Sequence, residues 1–68
     1  MIRFGERLKE LRSEKNISRE ELANKLNVSV RLISYYECGK RQCSFETLVF
    51  LAEYFDVSTD YLLGYKDY

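Results

Sequence analysis

The stretch that decides the fold is residues 18–40, SREELANKLNVSVRLISYYECGK. Ser18 stands before a run of helix-forming residues, and its hydroxyl can accept a hydrogen bond from an amide of the first helical turn. Ser29 can do the same for a second run. Asn27 and Gly39 tolerate a positive φ, which suits the residue at which a helix ends. The stretch therefore predicts two short helices joined by a tight turn, the second running from Val30 to about Cys38.

Apolar residues continue at helical spacing on both sides of this stretch. Phe4, Leu8 and Leu11 form one face of a first helix that ends near Asn16, and polar residues surround the rest of it, Arg7 and Lys9 among them. Ser44 is predicted to cap a fourth helix whose inner face is Phe45, Leu48, Leu51, Ala52 and Phe55. A short fifth helix is predicted between Ser58 and Gly64, with Tyr61, Leu62 and Leu63. The sequence therefore predicts an all-α, compact five-helix domain.

Composition is consistent with a single domain over residues 1–68. The chain is 46% hydrophobic and 32% charged, it contains no proline, and disorder is not expected. No signal peptide or membrane-spanning run is visible, and we expect a cytoplasmic protein. The chain has no histidine and two cysteines, Cys38 and Cys43, which we interpret as free thiols in a reducing compartment rather than as a metal site.

Net charge is zero, which argues mildly against nucleic-acid binding, because nucleic-acid binders are commonly basic. The charges are unevenly placed, however. Basic residues concentrate in the middle of the chain and acidic residues after it, so that one surface can still face phosphate. The basic residues of the middle are Arg19, Lys25, Arg31, Lys40 and Arg41.

Two short helices joined by three or four residues, the second with a polar outer face, are typical of a helix-turn-helix. The run ISREELANKLNVSVRLISYYECGKR closely resembles the Cro/cI-type (XRE) helix-turn-helix family of bacterial and phage regulators. The resemblance extends from about Phe4 to Gly64, through RLKELRSEK, SFETLVFLAEYFDVS and DYLLG. It implies a lambda-repressor-like DNA-binding domain, bacterial or phage-encoded and associated with the nucleoid.

The resemblance also implies a role for individual residues. Ile33 corresponds to the buried anchor of the recognition helix, and Glu37 to a glutamate that pairs internally with an arginine of the first helix, here Arg12. Four outward positions of the recognition helix correspond to base contacts: Val30, Arg31, Ser34 and Tyr35. Four others correspond to phosphate contacts: Arg19, Ser29, Lys40 and Arg41. Arg31 is the strongest candidate for a base contact, since a guanidinium can donate two hydrogen bonds to guanine O6 and N7.

This chain departs from the family pattern at four positions. Arg19 replaces a usual glutamine, which keeps a phosphate contact but removes an amide that could brace a base-reading side chain. Asn27 replaces the usual glycine of the turn, and Cys43 stands where proline is common. Phe50 occupies a position that is normally polar. Together with Tyr54, Tyr65 and Tyr68, it is our candidate for a dimer surface.

The resulting hypothesis is a sequence-specific regulator of transcription that binds double-stranded DNA. We expect a repressor that acts as a homodimer on a pseudo-palindromic operator, without a cofactor or small-molecule ligand. The alternative is a protein-interaction module, antitoxin-like or an anti-repressor partner, with weak or no DNA binding. An enzyme is not expected, because histidine, a glycine-rich phosphate loop and an activated nucleophile are all lacking. A redox role for Cys38 and Cys43 is less favoured than two ordinary thiols.

Overall fold

The computed structural model describes residues 2–68, which form five α-helices. These are α1 (Phe4–Glu14), α2 (Arg19–Leu26), α3 (Val30–Cys38), α4 (Phe45–Phe55) and α5 (Thr59–Leu63). Within the described residues there is no β-strand. The all-α five-helix architecture predicted from the sequence is confirmed.

Serine side chains begin four of the helices. Ser18 Oγ accepts a hydrogen bond from the Glu21 amide at 3.0 Å, and Ser29 Oγ accepts one from the Leu32 amide at 3.1 Å. Ser44 and Ser58 cap α4 and α5 in the same way. Each cap satisfies one of the amides that have no partner in the first turn of a helix, so the helix starts are encoded locally.

Residues with a positive φ end the helices α2 to α5. Asn27 has φ 58° after α2, Gly39 has φ 83° after α3 and Gly64 has φ 86° after α5. Asp56 ends α4 with φ 58°, a position that the sequence analysis did not single out. Aspartate tolerates this region better than most residues, because its short polar side chain can hydrogen-bond locally.

The core takes apolar side chains from all five helices. α3 packs against α1 and α2, while α5 connects α1 to α4. The largest fully enclosed side chains are one from each helix: Leu8, Leu22, Ile33, Leu51 and Leu62. The α3 helix is therefore packed on one side by α1 and α2, and Val30 and Arg31 are exposed on its other side.

Gly5 allows an unusually close approach of α1 to α3. A Cβ atom at this position would lie 2.4 Å from the Tyr36 carbonyl oxygen and 2.7 Å from that of Glu37. Beside it, the Phe4 and Tyr36 rings meet edge to face with centroids 5.8 Å apart. The first turn of α1 thus packs directly on the backbone at the end of α3.

Two predicted placements were wrong. Arg7, expected on the polar side of α1, is buried: its guanidinium lies 4.2 Å from the centroid of the Tyr61 ring and donates to Asp67 Oδ1 at 3.4 Å. The α5 helix and the segment after it cover this side of α1. Phe45, expected on the inner face of α4, is 85% exposed, because it is the first residue of the helix and projects past the core.

Candidate nucleic-acid interface

The α3 helix has one buried and one open face. Ile33 and Tyr36 are buried against the other helices, whereas Val30 is 39% exposed and Arg31 is exposed. Ser34 and Tyr35 are half-buried at the edge of the open face. At 100° per residue, positions 30, 31, 34 and 35 share one side of the helix, so all four predicted base-contacting residues lie on the side away from the core.

The four predicted phosphate-contacting residues lie at the start of α2 and at the two ends of α3. Arg19 is the first residue of α2, Ser29 is the N-cap of α3, and Lys40 and Arg41 follow the end of α3; all are exposed. Ser29 Oγ already accepts a hydrogen bond from the Leu32 amide. Its hydroxyl proton is not used by that cap, so the group can still donate to an anion.

A cleft lies between α1, α2 and the C-terminal half of α3. Its walls include Arg19, Ser34, Tyr35 and Lys40, so the structure brings together two predicted phosphate contacts and two predicted base contacts. Lys40 Nζ lies 5.6 Å from the centroid of the Tyr35 ring. Lys9 of α1 lines the same cleft. The sequence analysis missed Lys9, since it lies outside the helix-turn-helix and only the docking of α1 on α3 brings it here.

Arg12 and Glu37 are in direct contact. Arg12 donates from Nε to Glu37 Oε2 at 2.6 Å and from its second terminal nitrogen to Oε1 at 3.3 Å, and its first terminal nitrogen donates to the Ile17 carbonyl at 3.0 Å. Arg19 adds a bond that the sequence did not indicate, from Nε to Glu37 Oε1 at 3.1 Å. One carboxylate therefore connects α1, α2 and α3.

The candidate dimer residues fall into two groups. Phe50 is 40% exposed and stacks on the half-buried Tyr54, with centroids 6.0 Å apart and planes 10° apart. Tyr65 and Tyr68 are 64% and 76% exposed and follow α5. Among residues 2–68, no aromatic contact joins the two groups.

Phe50 instead shares a shallow depression on α4 with two other exposed apolar residues. These are Phe45, at 85% exposure, and Val49, at 48%. Glu46 and Glu53 border the depression. Sequence reasoning missed this surface, because Phe45 was assigned to the core.

The two thiols differ in environment. Cys38 is exposed and its Sγ donates to the Tyr35 carbonyl at 3.7 Å, whereas Cys43 is half-buried, and burial raises the pKa of its thiol. Both are free cysteines. In residues 2–68 we found neither a cluster of three side chains able to hold a metal ion nor a helix with the length and apolar character needed to cross a membrane.

The helix pair α2 and α3, with an open recognition face and a buried anchor, has the geometry of a helix-turn-helix. Residues 5–67 match the profile of the family described as "Helix-turn-helix domain". The chain belongs to the helix-turn-helix family of transcriptional regulators, and within it to the Cro/cI (XRE) type.

Two regulators of transcription are among the proteins that resemble this chain. The HTH-type transcriptional regulator ImmR of Bacillus subtilis is 43% identical over 61 residues, which are 90% of this chain and 48% of ImmR. The HTH-type transcriptional activator BcrR of Enterococcus faecalis is 40% identical over 63 residues, which are 93% of this chain and 31% of BcrR. This chain thus spans about half or less of the length of these two relatives.

A solved structure agrees over nearly the whole chain. A transcriptional regulator from Listeria innocua superposes with a TM-score of 0.92 at 36% sequence identity, covering 97% of this chain and 62% of that chain. The whole five-helix unit, and not only α2 and α3, is therefore shared with this regulator.

Proposed function

We propose that this chain is a sequence-specific DNA-binding domain that places α3 in the major groove of double-stranded DNA. The observation that carries this proposal is the orientation of α3. Ile33 and Tyr36 are buried, while Val30 and Arg31 are exposed on the opposite side. A helix held in this way from behind can enter a groove about 12 Å wide without disturbing the core.

The open face of α3 and the residues beside it make two kinds of contact with DNA, to bases and to phosphates. Arg31 donates two hydrogen bonds to a guanine, Val30 contacts a thymine methyl group, and Ser34 and Tyr35 reach base edges next to them. Arg19, Ser29, Lys40 and Arg41 donate to phosphates on either side of the groove and fix the register of α3. Cations are concentrated near this face, so it can attract phosphate although the net charge of the whole chain is zero.

The regulator acts as a homodimer on a pseudo-palindromic operator. In a two-fold symmetric dimer the two α3 helices lie about 34 Å apart, one turn of DNA. Exposed apolar side chains support this assembly: Phe50 with its neighbours Phe45 and Val49 on α4, and Tyr65 and Tyr68 after α5. The half-buried Tyr54 stacks on Phe50. Repression is the simplest outcome, because a bound dimer needs only to occupy the operator. The relative BcrR is named an activator, so activation is the alternative outcome.

Selection of bound sites from random duplex DNA tests the proposal. We expect an enriched pair of inverted half-sites whose centres are about 10 base pairs apart. Enrichment of a single half-site would contradict the homodimer but would still support sequence-specific binding. Recovery of no preferred sequence, with the wild-type chain folded, would contradict the proposed function.

The exposed α4 surface favours a second candidate, a protein-interaction module of the antitoxin or anti-repressor type. Phe45 at 85% exposure and a net charge of zero are unusual for a chain that binds only DNA. Titration with random duplex at low salt distinguishes the two. Salt-dependent binding supports the DNA-binding domain, and its complete lack supports the interaction module.

A further inference from the structure

Glu37 connects two arginines that differ in how much of their hydrogen-bonding capacity is used. Arg12 donates from all three of its nitrogens within the protein. Within residues 2–68, the side chain of Arg19 makes one hydrogen bond, from Nε to Glu37. This side chain is 43% exposed. The two terminal amino groups of Arg19 are thus available to an anion, while its Nε is held at 3.1 Å from a carboxylate that is 3% exposed.

The cleft beside Arg19 gathers cations from three separate segments. Lys9 comes from α1, Arg19 from α2, and Lys40 from the residue after the C-cap of α3. Ser34 and Tyr35 line the same cleft and belong to the open face of α3. A phosphate oxygen is the group that such a set of ammonium and guanidinium donors binds best, because each bond is charge-assisted.

Two negative features of the cleft are already neutralised. The Glu37 carboxylate accepts from Arg12 and Arg19, so these three side chains together carry one positive charge. Two carbonyls of the last turn of α3, those of Tyr35 and Tyr36, accept hydrogen bonds from the amides of Lys40 and Gly39. The cleft therefore presents the charges of Lys9, Arg19 and Lys40 without an opposing free carboxylate.

We propose that this cleft binds one backbone phosphate of DNA, that Lys9 is a further phosphate-contacting residue outside the helix-turn-helix, and that Glu37 is a positioning residue for Arg19. The inference rests on the proposed function, since the phosphate is that of bound DNA. The role proposed for Glu37 goes beyond a structural pair with Arg12, because Glu37 also sets the direction of the Arg19 amino groups.

The salt dependence of DNA binding tests the role of Lys9. We expect Lys9→Gln to weaken binding to random duplex on the order of tenfold at low salt and to reduce the slope of log affinity against log salt by about one. Lys15→Gln is the matched control, since Lys15 is exposed at the end of α1 but does not line the cleft. Equal behaviour of the two variants would overturn the role of Lys9. Lack of any salt-dependent binding by the wild type would instead overturn the proposed function.

Two substitutions test the positioning role of Glu37. Glu37→Gln removes one negative charge from a chain of zero net charge, so nonspecific electrostatics alone would tighten DNA binding. Positioning predicts the reverse: weaker binding and a slope smaller by about one for the folded variant. Unchanged or tighter binding would overturn the proposal.

Arg19→Lys supplies the same test in case Glu37→Gln does not fold. It keeps the charge, but the lysine ammonium lacks the rigid planar guanidinium whose Nε bonds Glu37 while its terminal amino groups point in a fixed direction. We expect several-fold weaker binding. Affinity equal to that of the wild type would overturn the positioning role.

A comparison of salts separates DNA phosphate from free phosphate. At equal ionic strength, replacing sodium chloride by sodium phosphate should leave the affinity for duplex DNA unchanged when the cleft is specific for DNA. Binding of inorganic phosphate to the free chain that is lost in Lys9→Gln but does not compete with duplex DNA would show that the cleft binds the free anion and would overturn the assignment to DNA.

Discussion

Arg12 and Glu37 form a nearly enclosed ion pair between α1 and α3. Their closest atoms, Arg12 Nε and Glu37 Oε2, are 2.6 Å apart, and the side chains are 13% and 3% exposed. Arg12 also donates to the Ile17 carbonyl in the connection between α1 and α2. The pair therefore fixes the position of α3, the helix on which DNA recognition is proposed to depend.

Removing Arg12 should be strongly destabilising. Arg12→Ala leaves the buried Glu37 carboxylate with Arg19 as its remaining partner, and we expect a loss of about 3–5 kcal/mol in the free energy of unfolding, measured by urea denaturation. Arg3→Ala is the control, because the Arg3–Glu6 pair is exposed and should contribute less than about 1 kcal/mol. Similar losses in the two variants would contradict a structural role for the Arg12–Glu37 pair.

Adding one methyl group at Gly5 should loosen the contact between α1 and α3. Alanine normally favours a helix over glycine, but its Cβ would lie 2.4 Å from the Tyr36 carbonyl oxygen, and backbone must move to accommodate it. We expect Gly5→Ala to lower the free energy of unfolding by about 1–3 kcal/mol. Ser13→Ala, at an exposed position of α1, should be neutral or slightly stabilising. A stabilising Gly5→Ala would show that the helices are not in such close contact.

Stability should decline at alkaline pH in part through Cys43. Burial raises the pKa of the Cys43 thiol, and burial also raises the pKa of Tyr36. A group whose pKa is raised in the folded state stabilises the fold fully below its unfolded pKa, and this contribution is lost as the pH rises through the folded value. The free energy of unfolding should therefore fall between about pH 8 and pH 11.

Two cysteine variants check this assignment. In Cys43→Ala the fall should be shallower and begin at higher pH, where Tyr36 titrates, whereas Cys38→Ala should follow the wild type because Cys38 is exposed. The measurement is urea denaturation at a series of pH values. An unchanged pH profile in Cys43→Ala would rule out the contribution of the buried thiol.

The helix ends could be predicted from the sequence because their determinants are local. Ser29 needs only the amide of Leu32, and Asn27 and Gly39 need only their own backbone preference. The burial of Ile33 and Tyr36 follows from helical periodicity in the same way. These features fix the architecture and the open face of α3.

Features that depend on how the helices pack could not be predicted. Arg7 is buried only because α5 brings Tyr61 over it, and Phe45 is exposed because the core ends before the first turn of α4. The Arg19–Glu37 contact and the position of Lys9 depend on long side chains that meet across three helices. Helical periodicity predicts which face of a helix is buried, but not how far the neighbouring helices extend over that face.

The apolar surface on α4 should control self-association. Phe50→Ser is expected to raise the dimer dissociation constant about tenfold or more in sedimentation equilibrium, because exposed aromatic residues are frequent anchors of interfaces. Val30→Ser is the matched control: Val30 is similarly exposed but lies on the open face of α3. A wild-type chain that remains monomeric both free and on a two-half-site duplex would contradict the homodimer.

Reading of DNA sequence by α3 is tested most directly by the ratio of the affinities for the selected site and for random duplex. We expect Arg31→Ala to lower this ratio by roughly 5- to 150-fold, equivalent to about 1–3 kcal/mol, and to relax specificity at one base position. Arg19→Ala should weaken both affinities and leave the ratio unchanged, since phosphate contacts carry no sequence information. If Arg31→Ala instead weakens binding equally on both DNAs, the assignment of α3 as the reading helix through Arg31 is contradicted.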